Sequence, residues 1–305
     1  MFGFPSTFCR LFRPFVLPLF LIALLATASA GEEPGTLNGN GNQQTVNRDK
    51  REIVFSCSHQ GIEGNFDIYI MAADGSNIRQ LTFSPAADNW PSISPEGEHI
   101  AFVSYRDGAR KLYVMNTDGS DIVCLTGNYK YDRPAWSPSG KQIAYNTPAG
   151  EICVIDIEGR EEKQLSHFPG NKRAPSWSPD GKLIAFDMNV DGQVGIYVMN
   201  ADGTGPRLLA PGFSSADWSP DGSQIVMNGE VDGIIEIYVM NSDGSDIRRL
   251  TNRRNHDEFP RWSPDGKSIV FDHHGDSHDI CVINADGSNK RFLIQDDSWT
   301  MMPDW

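Results

Sequence analysis

The sequence Trp-Ser-Pro-Asp-Gly recurs along this chain of 305 residues and constrains its fold more than any other feature. It occurs unchanged at Trp177–Gly181, Trp218–Gly222 and Trp262–Gly266, with one change at Trp136–Gly140 and loosely at Ile93–Gly97. A second sequence of the type Ile-Tyr-Val-Met-Asn-Ala-Asp-Gly alternates with it, and its six closing glycines lie 44, 40, 44, 41 and 43 residues apart. A period of about 40–45 residues predicts a repeat architecture.

One repeat, Ala216–Thr251, has the pattern of four short strands joined by tight turns. Ser219–Gly222 fits a turn because proline sets φ at its second position and glycine accepts a left-handed conformation. Gln224–Asn228 and Ile235–Asn241 are rich in β-branched residues, and Ile247–Thr251 completes an antiparallel meander. No part of the repeat has the spacing of an amphipathic helix.

The repeats predict an all-β fold, namely a six-bladed β-propeller of four-stranded antiparallel blades. A lone sheet would expose its apolar faces, whereas a ring of stacked sheets covers them. The repeated tryptophan is then a core residue between neighbouring blades. Arg51–Ser56 resembles the second strand of a repeat, and Met302–Trp305 supplies the missing Trp strand at the other end of the chain. We therefore expect the C-terminal strand to join the first blade and close the ring.

The N-terminal sequence is typical of a secretory signal peptide over residues 1–30. Arg10 and Arg13 precede the apolar run Phe15–Ala26, and small residues at positions 28–30 fit cleavage after Ala30. The apolar run is shorter than the roughly 20 residues of a spanning helix, and an uncleaved anchor is the alternative. Residues 31–50 are rich in Gly, Asn and Gln and are predicted to be a flexible linker, which leaves residues 51–305 as the propeller domain.

Composition favours a periplasmic or secreted protein, and we expect it to be a monomer. The formal charge is −14, and removal of Arg10 and Arg13 with the signal makes it −16, which disfavours nucleic acid and anionic membranes as partners. Membrane insertion after signal cleavage is not expected. Cys153 and Cys281 stand where other repeats have tyrosine, in repeats far apart, so we expect buried thiols rather than a disulfide.

The two alternating sequences are similar to the propeller repeats of the TolB family. The pattern is nearly complete at Pro175–Leu208 and again at Pro260–Phe292, where Cys281 replaces tyrosine, and the similarity covers essentially all of Arg51–Trp305. The resemblance implies a rigid ring with two faces and a central channel that binds partner proteins or peptides. The family's namesake also has an α/β domain before its propeller, and residues 31–50 are too few to form one.

Polar residues at two places in the repeat are candidates for binding. The loops that precede the Trp strands should cluster at one channel mouth. Their sequences vary between repeats, while the sequence of the framework is nearly constant. Both a binding rim and ordinary solvated loops would show this variation. The rim candidates are Asp88, Asp132, Arg173, His256, Asp257 and Glu258. Asp217, Arg261 and Asp304 lie between the Pro or Ala and the Trp of their strands, so we expect them to face the channel and to pair there.

No resident metal or cofactor is predicted, and a channel or loop metal is the alternative. Asp217 and Asp304 are few ligands for calcium, which takes six to eight oxygens. Asp272–Asp279 holds three His and three Asp that could bind zinc, but a hydrated hairpin loop is the favoured interpretation. Asp187–Gly192 resembles the start of a calcium loop without the required Glu and is better interpreted as a turn.

No catalytic motif is evident, so an enzyme is the less favoured class. The chain has no Gly-x-Ser-x-Gly sequence and no Gly-rich phosphate loop. We favour a propeller scaffold that binds an envelope or secreted protein or peptide at the channel mouth. The alternatives are a metal-dependent carbohydrate lyase or hydrolase with its site at the same mouth, and a purely structural or dimerising module.

Overall fold

The fold is all-β in this computed structural model, which describes residues 52–58, 65–126, 132–158, 160–252, 255–275, 277–295 and 298–305. The predicted signal peptide and linker lie outside these ranges. Within them the chain forms strands, turns and bends, and no helix is long and apolar enough to cross a membrane.

The strands are short because turn residues interrupt the β-branched runs every few positions. Within the described residues there are 24 strands. The first half comprises β1 (Glu52–Ser58), β2 (Asp67–Ala72), β3 (Arg79–Gln80), β4 (Asp88–Ile93), β5 (His99–Ser104), β6 (Lys111–Asn116), β7 (Val123–Cys124), β8 (Asp132–Trp136), β9 (Gln142–Asn146), β10 (Ile152–Asp156), β11 (Glu162–Gln164) and β12 (Asn171–Trp177). The second half comprises β13 (Leu183–Val190), β14 (Gln193–Asn200), β15 (Arg207–Pro211), β16 (Phe213–Trp218), β17 (Gln224–Val231), β18 (Ile234–Asn241), β19 (Arg248–Arg249), β20 (His256–Trp262), β21 (Ser268–His274), β22 (His278–Asn284), β23 (Arg291–Ile294) and β24 (Trp299–Asp304).

Four of the sheets in the described chain are the antiparallel four-stranded meanders that the repeat predicts. They are β4–β7, β8–β11, β12–β15 and β16–β19, each with the Trp strand at one edge. Those Trp strands, together with β20 and β24, contact one another in succession, and β24 contacts β4. The Trp strands therefore line the inside of a propeller ring.

The prediction of six separate blades is wrong: the described chain has four four-stranded blades. The remaining strands, β20–β24 and β1–β3, belong to one eight-stranded sheet. A single parallel pair, His278 with Trp299, joins β22 to β24 and so merges the strands of the first and last repeats. The sequence could not show this pair because it depends on where the closing strand lies beside β22.

The closing strand pairs with the first strand of the domain. In an antiparallel register, β24 places Asp304 opposite Val54, Met301 opposite Ser56 and Trp299 opposite Ser58. The two ends of the domain are therefore held together by a β-ladder as well as by side-chain packing.

The hydrophobic core lies between neighbouring sheets. In one cluster, Trp218 and Ile225 of the β16–β19 sheet pack with Ala185 and Ile196 of the preceding sheet. Trp218 is 8% exposed. Each sheet thus buries both of its faces, which explains why the second strands read as nearly continuous apolar runs.

The cysteines remain thiols, as expected from the repeat positions. Cys153 and Cys281 are buried, and no disulfide joins the cysteines of the described chain. Cys153 packs with Tyr145 in one inter-sheet core and Cys281 with Phe271 in another. Their role is therefore that of small apolar core residues.

Candidate functional site at the channel

Every Trp strand has a β-bulge at the same place. In β4, for example, Asn89 pairs with Val103 and Ser92 with Ala101, so two residues of β4 oppose one of β5. The bulge residue adopts a left-handed conformation, with φ between 48° and 60°, in all six Trp strands. These residues are Trp90, Arg133, Ala174, Ser215, Phe259 and Met302. A bulge turns a side chain away from the face that the normal alternation of the strand would give it. The residue type at this position differs from repeat to repeat, whereas the backbone conformation is the same.

Three bulge side chains from different sheets meet inside the ring. The guanidinium carbon of Arg133 lies 4.7 Å from the ring centroid of Trp90 and 4.1 Å from that of Phe259. The two rings are themselves 5.5 Å apart in an edge-to-face arrangement. Because their strands lie in different sheets, this cation–π cluster is a shared centre of the ring. Such contacts contribute about 0.5–2 kcal/mol each.

Arg133 is a buried cation. It is 7% exposed, and its Nη1 donates a hydrogen bond to Ser215 Oγ at 2.9 Å. Burial, and next the charge of Arg261, lowers the pKa of Arg133 to about 9, so the group stays charged at neutral pH.

The bulges leave backbone N–H groups without ladder partners, and side chains from the second strand of the preceding repeat accept from them. Ser215 N donates to Asp187 Oδ1 at 2.8 Å, and Met302 N donates to Asp272 Oδ1 at 2.8 Å. Both carboxylates are buried. The two carboxylates thus link β13 to β16 and β21 to β24, in each case the second strand of one repeat to the Trp strand of the next.

The three predicted channel residues line the ring interior. Asp217 Oδ2 accepts from Trp262 N at 2.8 Å, and Asp304 Oδ2 accepts from Ile93 N at 2.9 Å. Arg261 Nε lies 3.2 Å from Asp304 Oδ1. The two carboxylates are therefore inter-strand connectors, and one of them is also the ion-pair partner of Arg261.

Burial controls the protonation of these carboxyl groups. It raises the pKa of Asp187, Asp272 and Asp304 to about 6. Nearby arginines partly oppose this increase at Asp187 and Asp304, and a hydrogen bond from His274 partly opposes it at Asp272. Burial also raises the pKa of Asp217. A carboxyl group with a raised pKa binds its proton more tightly in the folded state than in the unfolded state.

The ring should therefore gain stability on mild acidification. Each carboxyl group with a folded pKa near 6 adds about 1 kcal/mol to the free energy of unfolding between pH 7 and pH 5, and this contribution is lost as pH rises through 6. Urea unfolding at the two pH values measures the gain, and Asp187→Asn should reduce it by about 1 kcal/mol. The amide can still accept from Ser215 N, which makes the substitution a conservative one. An unchanged gain in Asp187→Asn would contradict the assignment.

Two of the six predicted rim residues are buried in ion pairs. Asp88 is fully buried and lies 2.9 Å from Arg106 Nη2. Asp257 is fully buried and accepts from Lys290 Nζ at 2.8 and 2.9 Å. His273 Nδ1 lies 2.6 Å from Asp257 Oδ1. These two aspartates are thus held by neighbouring cations rather than directed toward solvent.

The Asp257 cluster keeps its carboxylate ionised. Burial alone would raise the pKa of Asp257, but hydrogen bonds from His273 and Lys290 outweigh it and hold the pKa below its ordinary value. The side chain of Lys290 is 8% exposed. The cluster is therefore a buried charge network that depends on all of its members.

The other rim candidates are more accessible. The side chain of Arg173 is 59% exposed, with its Nε 3.9 Å from Asp187 Oδ2. His256 and Glu258 are partly buried on β20. His256 Nδ1 accepts a hydrogen bond from Ile235 N at 3.3 Å. The backbone of Asp132 pairs with Asn146, and its side chain lies outside the described residues.

The described residues of the His-rich stretch form the end of β21 and the start of β22. His274 ends β21, and its ring lies tilted against that of His278 at 4.4 Å between ring centroids. The ring of His278 lies tilted against that of Trp299 at 4.7 Å. Among the described residues, no three His, Cys, Asp or Glu side chains converge as a metal site requires. In the stretch Asp187–Gly192, which resembles the start of a calcium loop, the residues up to Val190 belong to β13, and Asp191 and Gly192 form the turn that follows.

The bulge residues are the site positions that sequence reasoning missed. The alternation of a strand points to the residue between Pro and Trp, whereas the bulge brings the residue two positions earlier into the interior. A signal was present: this position holds Trp, Arg, Ala, Ser, Phe and Met in repeats whose framework barely varies.

Comparison with known proteins identifies the family. The family model described as TolB beta propeller domain matches residues 35–147 and 132–305. The chain belongs to the TolB beta propeller domain family. The family resemblance expected from the sequence is thereby confirmed.

The individual relatives match parts of the TolB-like chain. It is 34% identical over 118 residues to the Protein TolB homolog of Chlorobaculum tepidum. The matched segment is 37% of this chain and 26% of that protein. It is 31% identical over 120 residues to the Protein TolB homolog of Chlorobium luteolum, covering 39% and 27%. The matches thus span about a quarter of the length of these curated relatives.

A solved TolB structure shares the fold. The crystal structure of TolB from Acinetobacter baumannii superposes with a TM-score of 0.75 at 19% identity, over 83% of this chain and 66% of that one. At 19% identity, this structural similarity shows that the two proteins share a fold.

Proposed function

We propose that the chain is a propeller scaffold that binds a partner protein or peptide at the channel. The supporting observation is the set of six bulges, which place Trp, Arg, Ala, Ser, Phe and Met at equivalent positions of one repeated backbone, with Trp90, Phe259 and Met302 only partly buried. A constant frame with a variable interior is suited to recognition, since each repeat offers a different contact at an equivalent position. Membership of a TolB propeller family supports the same interpretation.

We propose the periplasm or the cell exterior as its location. The support is the signal-like sequence of residues 1–30. The partner would then be another envelope or secreted protein, as the TolB resemblance implies.

Site-specific photo-crosslinking in cells tests which face binds. A benzoylphenylalanine at Arg173 should capture the partner because this side chain is exposed at the start of a Trp strand. The matched control is Lys267, which is 81% exposed and follows the turn at the opposite end of β20. Purified partner should then bind Arg173→Ala several-fold more weakly than wild type, and Lys267→Ala like wild type. Equal capture from both positions, or from neither, would overturn the proposal.

A further inference from the structure

The large apolar side chains that are exposed in the described chain are concentrated near two edge strands. Five of the eight lie between positions 78 and 123, whereas the other three, at positions 208, 231 and 247, lie in later repeats. The five are Ile78, Phe83, Tyr105, Ile122 and Val123. Four of them lie on or next to β3 and β7, which are at the edges of their sheets. A concentration of exposed apolar surface is typical of an interaction site.

A groove of about 600 Å³ opens beside β3. Residues 80–84 form one wall, and the facing wall includes Asp118, Gly119 and Ile122 of the next repeat. Phe83 and Ile122, one on each wall, are exposed. Because consecutive residues line one wall, the groove follows a chain segment. A groove of this kind suits an extended peptide rather than a compact ligand.

Phe83 is not part of the repeated framework. It stands two residues after a leucine that recurs in every repeat. In the other repeats this position holds Gly127, His167, Pro211, Asn252 and Gln295. The fold therefore does not require an aromatic side chain here. Phe83 is nonetheless 77% exposed, and its ring is accessible to a partner.

Five of the six repeats have a basic residue two positions before the same leucine. These residues are Arg79, Lys163, Arg207, Arg248 and Arg291. Arg248 Nη2 donates a hydrogen bond to Ala285 O, and Arg291 Nη2 donates one to Ala73 O, each at 3.3 Å. Both carbonyl groups belong to the residue before a turn aspartate. In these repeats the cation of the outer strand thus contacts an acidic turn of the following repeat.

The strand β7 lacks this cation, because Val123 occupies the equivalent position and is exposed. The following repeat presents Ile157 and the exposed Glu158 at the places of the alanine and the turn aspartate. Ile157 packs in the same inter-sheet core as Leu125, so this turn adjoins the β7 sheet as its equivalents adjoin theirs. Within the described chain, Arg160 of the same turn makes no ion pair with Glu158. The acidic turn beside β7 is therefore the one at which the outer strand supplies no cation.

We propose that an extended segment of a partner protein docks on this edge through a large apolar side chain and a neighbouring lysine or arginine. The apolar side chain fills the groove between Phe83 and Ile122. The cation lies beside Glu158, in the place that other repeats fill with their own basic residue. The formal charge of −14 favours the approach of a basic segment. This edge is opposite the Trp strands, so the surface is distinct from the channel and goes beyond the proposed function.

A phage-displayed library of random dodecapeptides tests the surface. The library is depleted on Phe83→Asn, which carries the residue that another repeat has at this position, and is then selected on the wild-type protein. Selected peptides should combine a lysine or arginine with a large apolar residue a few positions away. The commonest selected sequence is synthesised, and its affinity for wild type and variants is measured by fluorescence anisotropy.

The variants separate the cation position from general stickiness. Val123→Arg introduces the cation that other repeats have and should weaken peptide binding at least about threefold. Exchange of the peptide's lysine or arginine for glutamine should weaken binding to wild type by a similar factor, and should have no effect on binding to Glu158→Gln. The matched control is Ile247→Asn, which alters an exposed isoleucine equivalent to Ile122 and should leave the affinity unchanged. Near-ultraviolet circular dichroism checks that each variant is folded.

Three results would overturn the docking surface: no peptide enriched after depletion, selected peptides without a basic residue, or an affinity that neither Val123→Arg nor Glu158→Gln changes. Sedimentation velocity examines a second copy of the chain as the occupant. A wild-type dimer that dissociates in Phe83→Asn would assign this edge to self-association and reject a separate partner. The proposed function is tested independently, by crosslinking at Arg173 on a Trp strand.

Discussion

Deletion of β24, Trp299–Asp304, together with Trp305 should abolish cooperative folding of the domain. This strand supplies the ladder partner of β1, and its Asp304 and Met302 hydrogen-bond to Ile93 and Asp272 of neighbouring strands. Trp305 also packs against the core that contains Phe55. The combined loss is comparable with the whole stability of a domain, about 5–15 kcal/mol.

Thermal melting followed by circular dichroism, with limited proteolysis, measures this effect. The truncated chain should melt without a sharp transition and be cleaved rapidly. A synthetic peptide of residues 298–305 added in trans should restore protection, whereas a scrambled peptide of the same composition should not. A truncated chain that melts like the full-length protein would show that the ring does not depend on its closing strand.

Asp257→Asn should destabilise the protein by about 3–5 kcal/mol, the cost of leaving a buried charge without its partner. The substitution leaves Lys290 almost fully buried without a carboxylate, and it weakens the hydrogen bond to His273. Urea unfolding at pH 7 measures the loss. The matched control is Asp243→Asn, in an exposed turn where the carboxylate accepts from Ser245 N, and its unfolding midpoint should change little.

A double substitution separates a charge network from simple packing. Lys290→Met should be destabilising alone, because it removes two hydrogen bonds from Asp257. The double variant Asp257→Leu, Lys290→Met should lose less free energy of unfolding than the sum of the losses in Asp257→Leu alone and Lys290→Met alone. Replacing both members of a buried pair with apolar residues removes the uncompensated charge that each single change leaves. Additive losses would contradict a coupled network.

The repeat predicted the individual sheets well, because each turn is encoded by its own residues. Gly222 N donates to Ser219 O and Gly244 N to Asn241 O, at the two turns expected from Pro, Asp and Gly. The outer strand was predicted over Ile247–Thr251 but is confined to Arg248–Arg249. Thr251 Oγ1 accepts from Ile237 N instead, so a side chain replaces the ladder at that end.

The sheet count and the site interior depend on contacts that local sequence does not specify. One residue pair, His278 with Trp299, merges two groups of strands into the eight-stranded sheet. The left-handed conformation at Arg133 places its side chain between Trp90 and Phe259, which lie far away in the chain. Likewise Asp257 was expected at an exposed rim, but Lys290, which is 33 positions later, covers it.

The pairing of β1 with β24 has a consequence for how the protein is made. Since β1 lies at the start of the domain and its partner residues on β24 follow 241 to 250 positions later, the first sheet must stay incomplete until β24 has been made. Until β24 has been made, β1 can pair with β2 along one edge only, and the edge that β24 covers in the finished ring stays open. An open strand edge can pair with another chain, so a ring that has not yet closed is exposed to edge-to-edge association.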